Sequence, residues 1–210
     1  HPTCANFDVL QDALLPVLRP LTEGAEGEWL EVGCGRGRLD SIISPDRAIL
    51  SDISASMLSL ARQRTKDRII CRLMDAFQLP LAFLADPYNH AAFFKQARRT
   101  LRTGGCLAFT LPNHDWATTV RIALGQPLEE TQFIHRDEAI RRVPSHTRSI
   151  EQQGSLLDAL GFRVASAYTC SLTGYPESMA SHHVVLAARM LGCTPCNVPL
   201  HDVYVCFKSE

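Results

Sequence analysis

Three glycines stand at alternate positions, Gly33, Gly35 and Gly37, just behind a carboxylate, Glu31, in the run Glu28-Trp29-Leu30-Glu31-Val32-Gly33-Cys34-Gly35-Arg36-Gly37-Arg38-Leu39. Glycine tolerates positive φ and carries no Cβ, so a turn of this kind can press its backbone against a ligand. Two more carboxylates follow short apolar runs: Asp52 comes after Ala48-Ile49-Leu50, and Asp75 closes Ile69 to Met74. Carboxylates at such places accept hydrogen bonds from hydroxyl or amino groups. One imidazole, His114, follows the apolar run 106–111, and an imidazole takes up a proton near neutral pH. His135 and His146 are alternatives for that task. Together these residues describe a polar ligand held along a row of strand ends, with a proton acceptor downstream.

Elements must bring these residues together. Trp29, Leu30 and Val32 suit a buried strand, and Leu39 with the apolar residues after it suits a helix whose N-terminus points at the glycine turn. Ala48-Ile49-Leu50 and Ile69 to Met74 predict second and third strands, with Ser54 capping a helix over 55–64. Asp52 lies fifteen residues past Gly37. In an α/β sheet that position is beside the glycine turn, where a carboxylate can accept both ribose hydroxyls. Residues 7–18 carry helical spacing that Pro20 should end. A helix over 89–101 turns Ala92, Phe93, Ala97 and Leu101 inward and Lys95, Arg98, Arg99 and Arg102 outward. Gly104 ends it before a strand over 106–111. Further elements are a helix over 149–160 between Ser149 and Gly161, a strand over 162–168, a helix over 176–191 and a last strand over 202–208.

A dinucleotide fingerprint, G-x-G-x-x-G, would need a glycine where Arg38 stands. The pattern here is acidic-x-Gly-x-Gly-x-Gly. It resembles motif I of the class I S-adenosylmethionine (SAM)-dependent methyltransferases. Asp52-Ile53-Ser54-Ala55-Ser56-Met57-Leu58 is similar to the family's D-x-S-x-x-M-L segment. Leu101-Arg102-Thr103-Gly104-Gly105-Cys106-Leu107 is similar to its L-(R/K)-x-G-G-x-L turn, and Leu156, Leu157, Gly161, Phe162 and Val164 to L-L-x-x-x-G-F-x-V. The resemblance runs from about residue 28 to the C-terminus. It implies a Rossmann-like three-layer αβα sandwich, with a mostly parallel seven-stranded sheet whose last strand is antiparallel between strands 5 and 6. It also implies SAM as cofactor and S-adenosylhomocysteine (SAH) as product. Glu31, Gly33, Cys34, Gly35 and Gly37 would then hold the amino acid end of the cofactor. Asp52, with Ile53 and Met57 beside it, would hold the ribose. Asp75 would meet the adenine amino group, the Ala76 N–H a ring nitrogen, and Phe77 or Leu79 a ring face.

Two regions depart from the family pattern. Between residues 79 and 90 the interval to Gly104-Gly105 is short by about one strand and its loop. Either the fourth strand is compressed into 81–84 or a segment is missing from the sequence. Asp86-Pro87-Tyr88 has one proline fewer than the (Asn/Asp/Ser)-Pro-Pro-(Tyr/Phe) of amino-directed methyltransferases, and Asp86 reads better as a helix cap. Residues 113–148 form an insert on the side where this family builds its acceptor pocket. Arg136, Arg141, Arg142 and Arg148 within it either meet an acidic acceptor or solvate the surface.

The 210 residues are 46% hydrophobic with a formal net charge of −1. One core, one domain over 1–210 and no global electrostatic footprint for nucleic acid follow. No apolar run reaches membrane-spanning length, and no signal-peptide layout opens the sequence. Eight scattered cysteines, several in expected core strands, point to buried thiols in a reducing, cytoplasmic compartment. Cys193-x-x-Cys196 lacks a second ligand pair for zinc, and His182 and His183 are adjacent and point apart, so no metal site is expected. The reading favours an enzyme acting on a small-molecule O-, N- or C-acceptor, as monomer or homodimer. An RNA- or protein-directed enzyme and a non-catalytic SAM-fold subunit are the rivals.

Overall fold

The computed structural model describes residues 14–16, 18–23, 27–37, 42, 47–52, 54–74, 87–134, 140–144 and 147–210. They form two compact units, one within residues 11–82 and the other within 83–210.

In the first unit, β1 (Trp29–Val32), β2 (Ala48–Asp52) and β3 (Ile70–Leu73) form a parallel sheet in that order. The register sets Glu31 beside Leu50 and Asp52 beside Leu73. Parallel neighbours need a crossover connection, and α1 (Ala55–Thr65) supplies it between β2 and β3. Ser54 caps the helix by accepting from the Met57 N–H, and Lys66 ends it in the left-handed conformation at φ 53°. The helix buries Leu58 and Ala61 against Ala48 and Leu50 of β2. All three strands therefore end on one edge, which carries the glycine turn and Asp52. Residues 14–16 and 18–22 are helical. Pro20 does not end this helix as its sequence suggested; the Glu23 N–H and Thr22 hydroxyl close it on the Arg19 carbonyl.

The second unit runs α2 (Pro87–Thr100), β4 (Cys106–Pro112), α3 (His114–Ala123), β5 (Glu130–Ile134), β6 (Ile140–Pro144), α4 (Ile150–Ala159), β7 (Phe162–Cys170), α5 (His182–Leu191) and β8 (His201–Lys208). Its main sheet has the order β4-β8-β7, with β8 antiparallel to both neighbours. The last strand thus lies antiparallel between two strands that share one direction, as the family resemblance implies. Phe94, Leu157, Phe162, Tyr204 and Cys206 form its core, with the Phe109 ring stacked on Tyr204 at 4.9 Å.

Several elements differ from the sequence reading. Among the described side chains of α2, Phe94 is the fully buried one, while Phe93, Ala97 and Leu101 pack around its cluster from partly buried positions. Arg98, expected in solvent, donates to the Gly161 carbonyl at 3.4 Å beyond the end of α4, where a cation suits the helix dipole. The expected helix over 176–191 starts only at His182, because Ser181 caps it by accepting from the Val184 N–H. The insert 113–148 contains α3 and an antiparallel β5–β6 hairpin, elements its mixed periodicity did not announce. The expected fourth strand at 81–84 and Asp86 lie outside the described residues. The described cysteines are free thiols, and burial pushes Cys34 and Cys206 up to about 12. Among the described residues no helix is long and apolar enough to cross a membrane.

Candidate functional site

The glycine turn leaves β1 at Val32 and reaches positive φ three times: 72° at Gly33, 52° at Gly35 and 68° at Gly37. Backbone bonds pin it to β2, with Cys34 N–H donating to the Ser51 carbonyl at 2.9 Å and Gly37 N–H to the Cys34 carbonyl at 2.8 Å. The Ser51 hydroxyl adds a bond to the Glu31 carbonyl at 2.8 Å. The three glycines do different work. A Cβ on Gly37 would lie 3.2 Å from Leu50 Cδ1 and 3.3 Å from Ala61 Cβ, whereas one on Gly33 or Gly35 would meet nothing within 4 Å. Gly37 therefore lets the turn pack on β2 and α1, and Gly33 and Gly35 keep a cradle open that side chains would fill.

Asp52, the last residue of β2, faces this cradle. One carboxylate oxygen, Oδ2, accepts from the Gly35 N–H at 2.8 Å. The other, Oδ1, accepts from the Ser54 N–H at 2.8 Å. Each oxygen has a second acceptor site, so the group can hold the turn and still receive ligand hydroxyls. The Asp52 carbonyl accepts from the Met74 N–H at 3.0 Å, which brings the chain at residue 74 to the same strand end. Met57 is exposed on α1. The Cys34 side chain belongs to the apolar cluster under β2. Its thiol is pushed up to about 12 by burial, then by the charges of Glu31 and Asp52, so it stays protonated. Ile53, Asp75, Ala76 and Phe77 lie outside the described residues.

In the other unit, β4 runs into Asn113, whose buried side chain caps the start of α3. Its Oδ1 accepts from the Asp115 and Trp116 N–H groups at 3.0 and 3.1 Å. Its Nδ2 donates to Asp202 Oδ1 at 2.9 Å, and the Thr169 hydroxyl donates to the same oxygen at 2.7 Å. His114 follows as the first residue of α3, with Nδ1 2.9 Å from Thr147 Oγ1. Trp116 lies one ring away from His201, at 6.1 Å between centroids. Burial pulls His201 down to about 4, against the opposing charge of Asp202, so this imidazole is neutral at physiological pH. His135, Arg136 and His146 lie outside the described residues, and Arg148 is half-buried.

The structure thus joins Gly33, Gly35, Gly37 and Asp52 at one strand edge and His114 with Thr147 elsewhere. Sequence reasoning passed over Asn113, Thr147, His201 and Asp202. Two signals were present: Asn113 is a preferred cap residue after Pro112, and Asp202 is a charge at the head of an apolar strand.

Residues 30–86 match the family described as "Methyltransferase domain". In fold, the chain is similar to an S-adenosylmethionine-dependent methyltransferase from Clostridium acetobutylicum ATCC 824, with a TM-score of 0.61 and 12% identity over 97% of this chain and 92% of that one. It is also similar to the N-methyltransferase NodS from Bradyrhizobium japonicum WM9, with a TM-score of 0.59 and 16% identity over 97% of each chain. A third likeness is to DhpI in complex with SAH, at a TM-score of 0.60 and 19% identity over 96% of this chain and 87% of that one. The sequence has no match among curated proteins. At these identities the solved structures share the fold with this chain. The methyltransferase-domain match spans the glycine turn and Asp52, and the fold is one that solved SAM-dependent methyltransferases share.

Proposed function

We propose that the chain methylates a small-molecule acceptor, using SAM bound at the edge formed by the glycine turn and Asp52. The observation that carries this is the 2.8 Å bond from the Gly35 N–H to the Asp52 carboxylate, which sets an acceptor of hydroxyl groups directly against an open backbone cradle. The residues fit the cofactor. Gly33 and Gly35 leave room for its amino acid end, the free lone pairs of Asp52 suit two ribose hydroxyls, and Asp75, Ala76 and Phe77 are the adenine-side residues in this reading. Ile53 and Met57 flank the ribose.

When bound, the cofactor supplies a methyl group on a cationic sulfur, so the chain's work is to align the acceptor and manage its proton. His114 takes that proton in this reading. The net charge of −1 favours a small acceptor over a nucleic acid. The likeness to an N-methyltransferase over 97% of each chain makes amines the first acceptors to screen. Calorimetric titration with SAM and SAH tests the proposal: saturable binding of both is expected. A folded sample that binds neither would overturn it in favour of a non-catalytic subunit.

A further inference from the structure

We propose that Thr147 is a positioning residue: it holds His114 in the tautomer whose Nε2 is bare and able to accept a proton. The inference rests on the reading of His114 as the base. The juxtaposition that carries it is the 2.9 Å contact between His114 Nδ1 and Thr147 Oγ1, which ties the first turn of the insert to its last residues.

A neutral imidazole has one N–H, and the partner of one ring nitrogen decides the state of the other. If Nδ1–H donates to the Thr147 oxygen, Nε2 is left as a lone pair. The proton lost by the methyl acceptor then passes to Nε2, and the resulting imidazolium keeps its Nδ1–H on Thr147. If instead the hydroxyl donated to Nδ1, the proton would sit on Nε2 and the ring could only donate. A base at this place requires the first arrangement.

Both partners stand on fixed ground, which makes the contact a positioning device. On the His114 side, Asn113 caps α3 and is itself bonded to Asp202, a buried carboxylate. On the other side, Thr147 lies two residues ahead of Ser149, whose hydroxyl accepts from the Gln152 N–H while the Gln152 side chain accepts from the Ser149 N–H, each at 3.2 Å. This reciprocal cap fixes the entry of α4. Neither side chain needs to be ordered at the moment of reaction.

The test uses protein labelled with 15N-histidine, with the ring nitrogens followed by NMR at a pH where imidazole is neutral and His114→Gln assigning the signals. The wild type should show His114 protonated at Nδ1 and bare at Nε2. Thr147→Val, isosteric but without the hydroxyl, should shift the ring toward the Nε2–H form, and Thr147→Ser should restore the wild-type pattern. A wild-type ring already protonated at Nε2, or an unchanged pattern in Thr147→Val, would overturn the inference. Calorimetry with SAH on the same samples separates it from the proposed function: absent SAH binding with the ring pattern intact would sink the cofactor reading alone.

Discussion

The Asp52 carboxylate receives the Gly35 N–H at 2.8 Å, across 17 residues of sequence, and so locks the end of β2 to the middle of the glycine turn. One side chain therefore shapes the cradle and, in the proposed function, also receives the ribose. Asp52→Ala removes the ligand contacts and both backbone bonds, and should weaken SAH binding by about 1.5–3 kcal/mol, or roughly ten- to a hundredfold. The helical circular dichroism should persist, since the β2–α1 core does not include this group. Equal SAH affinity in a folded variant would remove Asp52 from the ribose site.

Gly35 and Gly37 share positive φ yet differ in surroundings, and substitution should separate them. Gly37→Ala combines left-handed strain with contacts at 3.2 and 3.3 Å to Leu50 and Ala61, so a loss of about 2–4 kcal/mol in urea unfolding is expected. Gly35→Ala has open space and carries the strain alone, about 1–2 kcal/mol. Its main effect should be on SAH affinity, because the new methyl occupies the cradle. The reverse ranking would mean that the turn packs differently from the arrangement described here.

Much of the first unit was legible because its signals are local. Gly33, Gly35 and Gly37 in spacing, Asp52 after an apolar run and Ser54 as a cap each depend on neighbours a few residues away. The candidate base of the second unit depends on long-range pairings. Asn113 meets Asp202 across 89 residues, and Thr147 meets His114 across 33, and no periodicity reports such contacts. The burial of Phe94 in place of a symmetric inward stripe was hidden for a similar reason: packing against Phe109 and Phe162 chooses among adjacent aromatic residues that propensity treats alike.

Acid should weaken the second unit through His201. Its folded value of about 4 lies below the ordinary imidazole value of 6.5, so between those limits the unfolded chain binds a proton that the folded chain does not. Stability is then fully present above about pH 6.5 and is lost as pH falls toward 4, by up to about 3 kcal/mol. Urea unfolding from pH 7.5 to 4.5 should show this slope, and His201→Gln should flatten it. An identical slope in the variant would assign the acid sensitivity to other groups.

Gln153 gives a prediction of opposite sign. It is fully buried on α4, and among the described residues neither its amide oxygen nor its amide nitrogen has a hydrogen-bond partner. Leu157, one turn along the same helix, sits in the apolar cluster with Phe94 and Phe162, so the helix face around Gln153 is a hydrophobic one. An unpaired amide in such a place costs about 1–3 kcal/mol in desolvation, which an apolar residue of similar volume does not incur. Gln153→Met, unbranched and close in shape, should therefore raise the urea midpoint by the equivalent of about 1–2 kcal/mol. SAH affinity should not change, since Gln153 is not among the residues proposed to hold the cofactor. A destabilised Gln153→Met protein would show instead that the amide is held by polar partners in solution, with ordered water the first to look for.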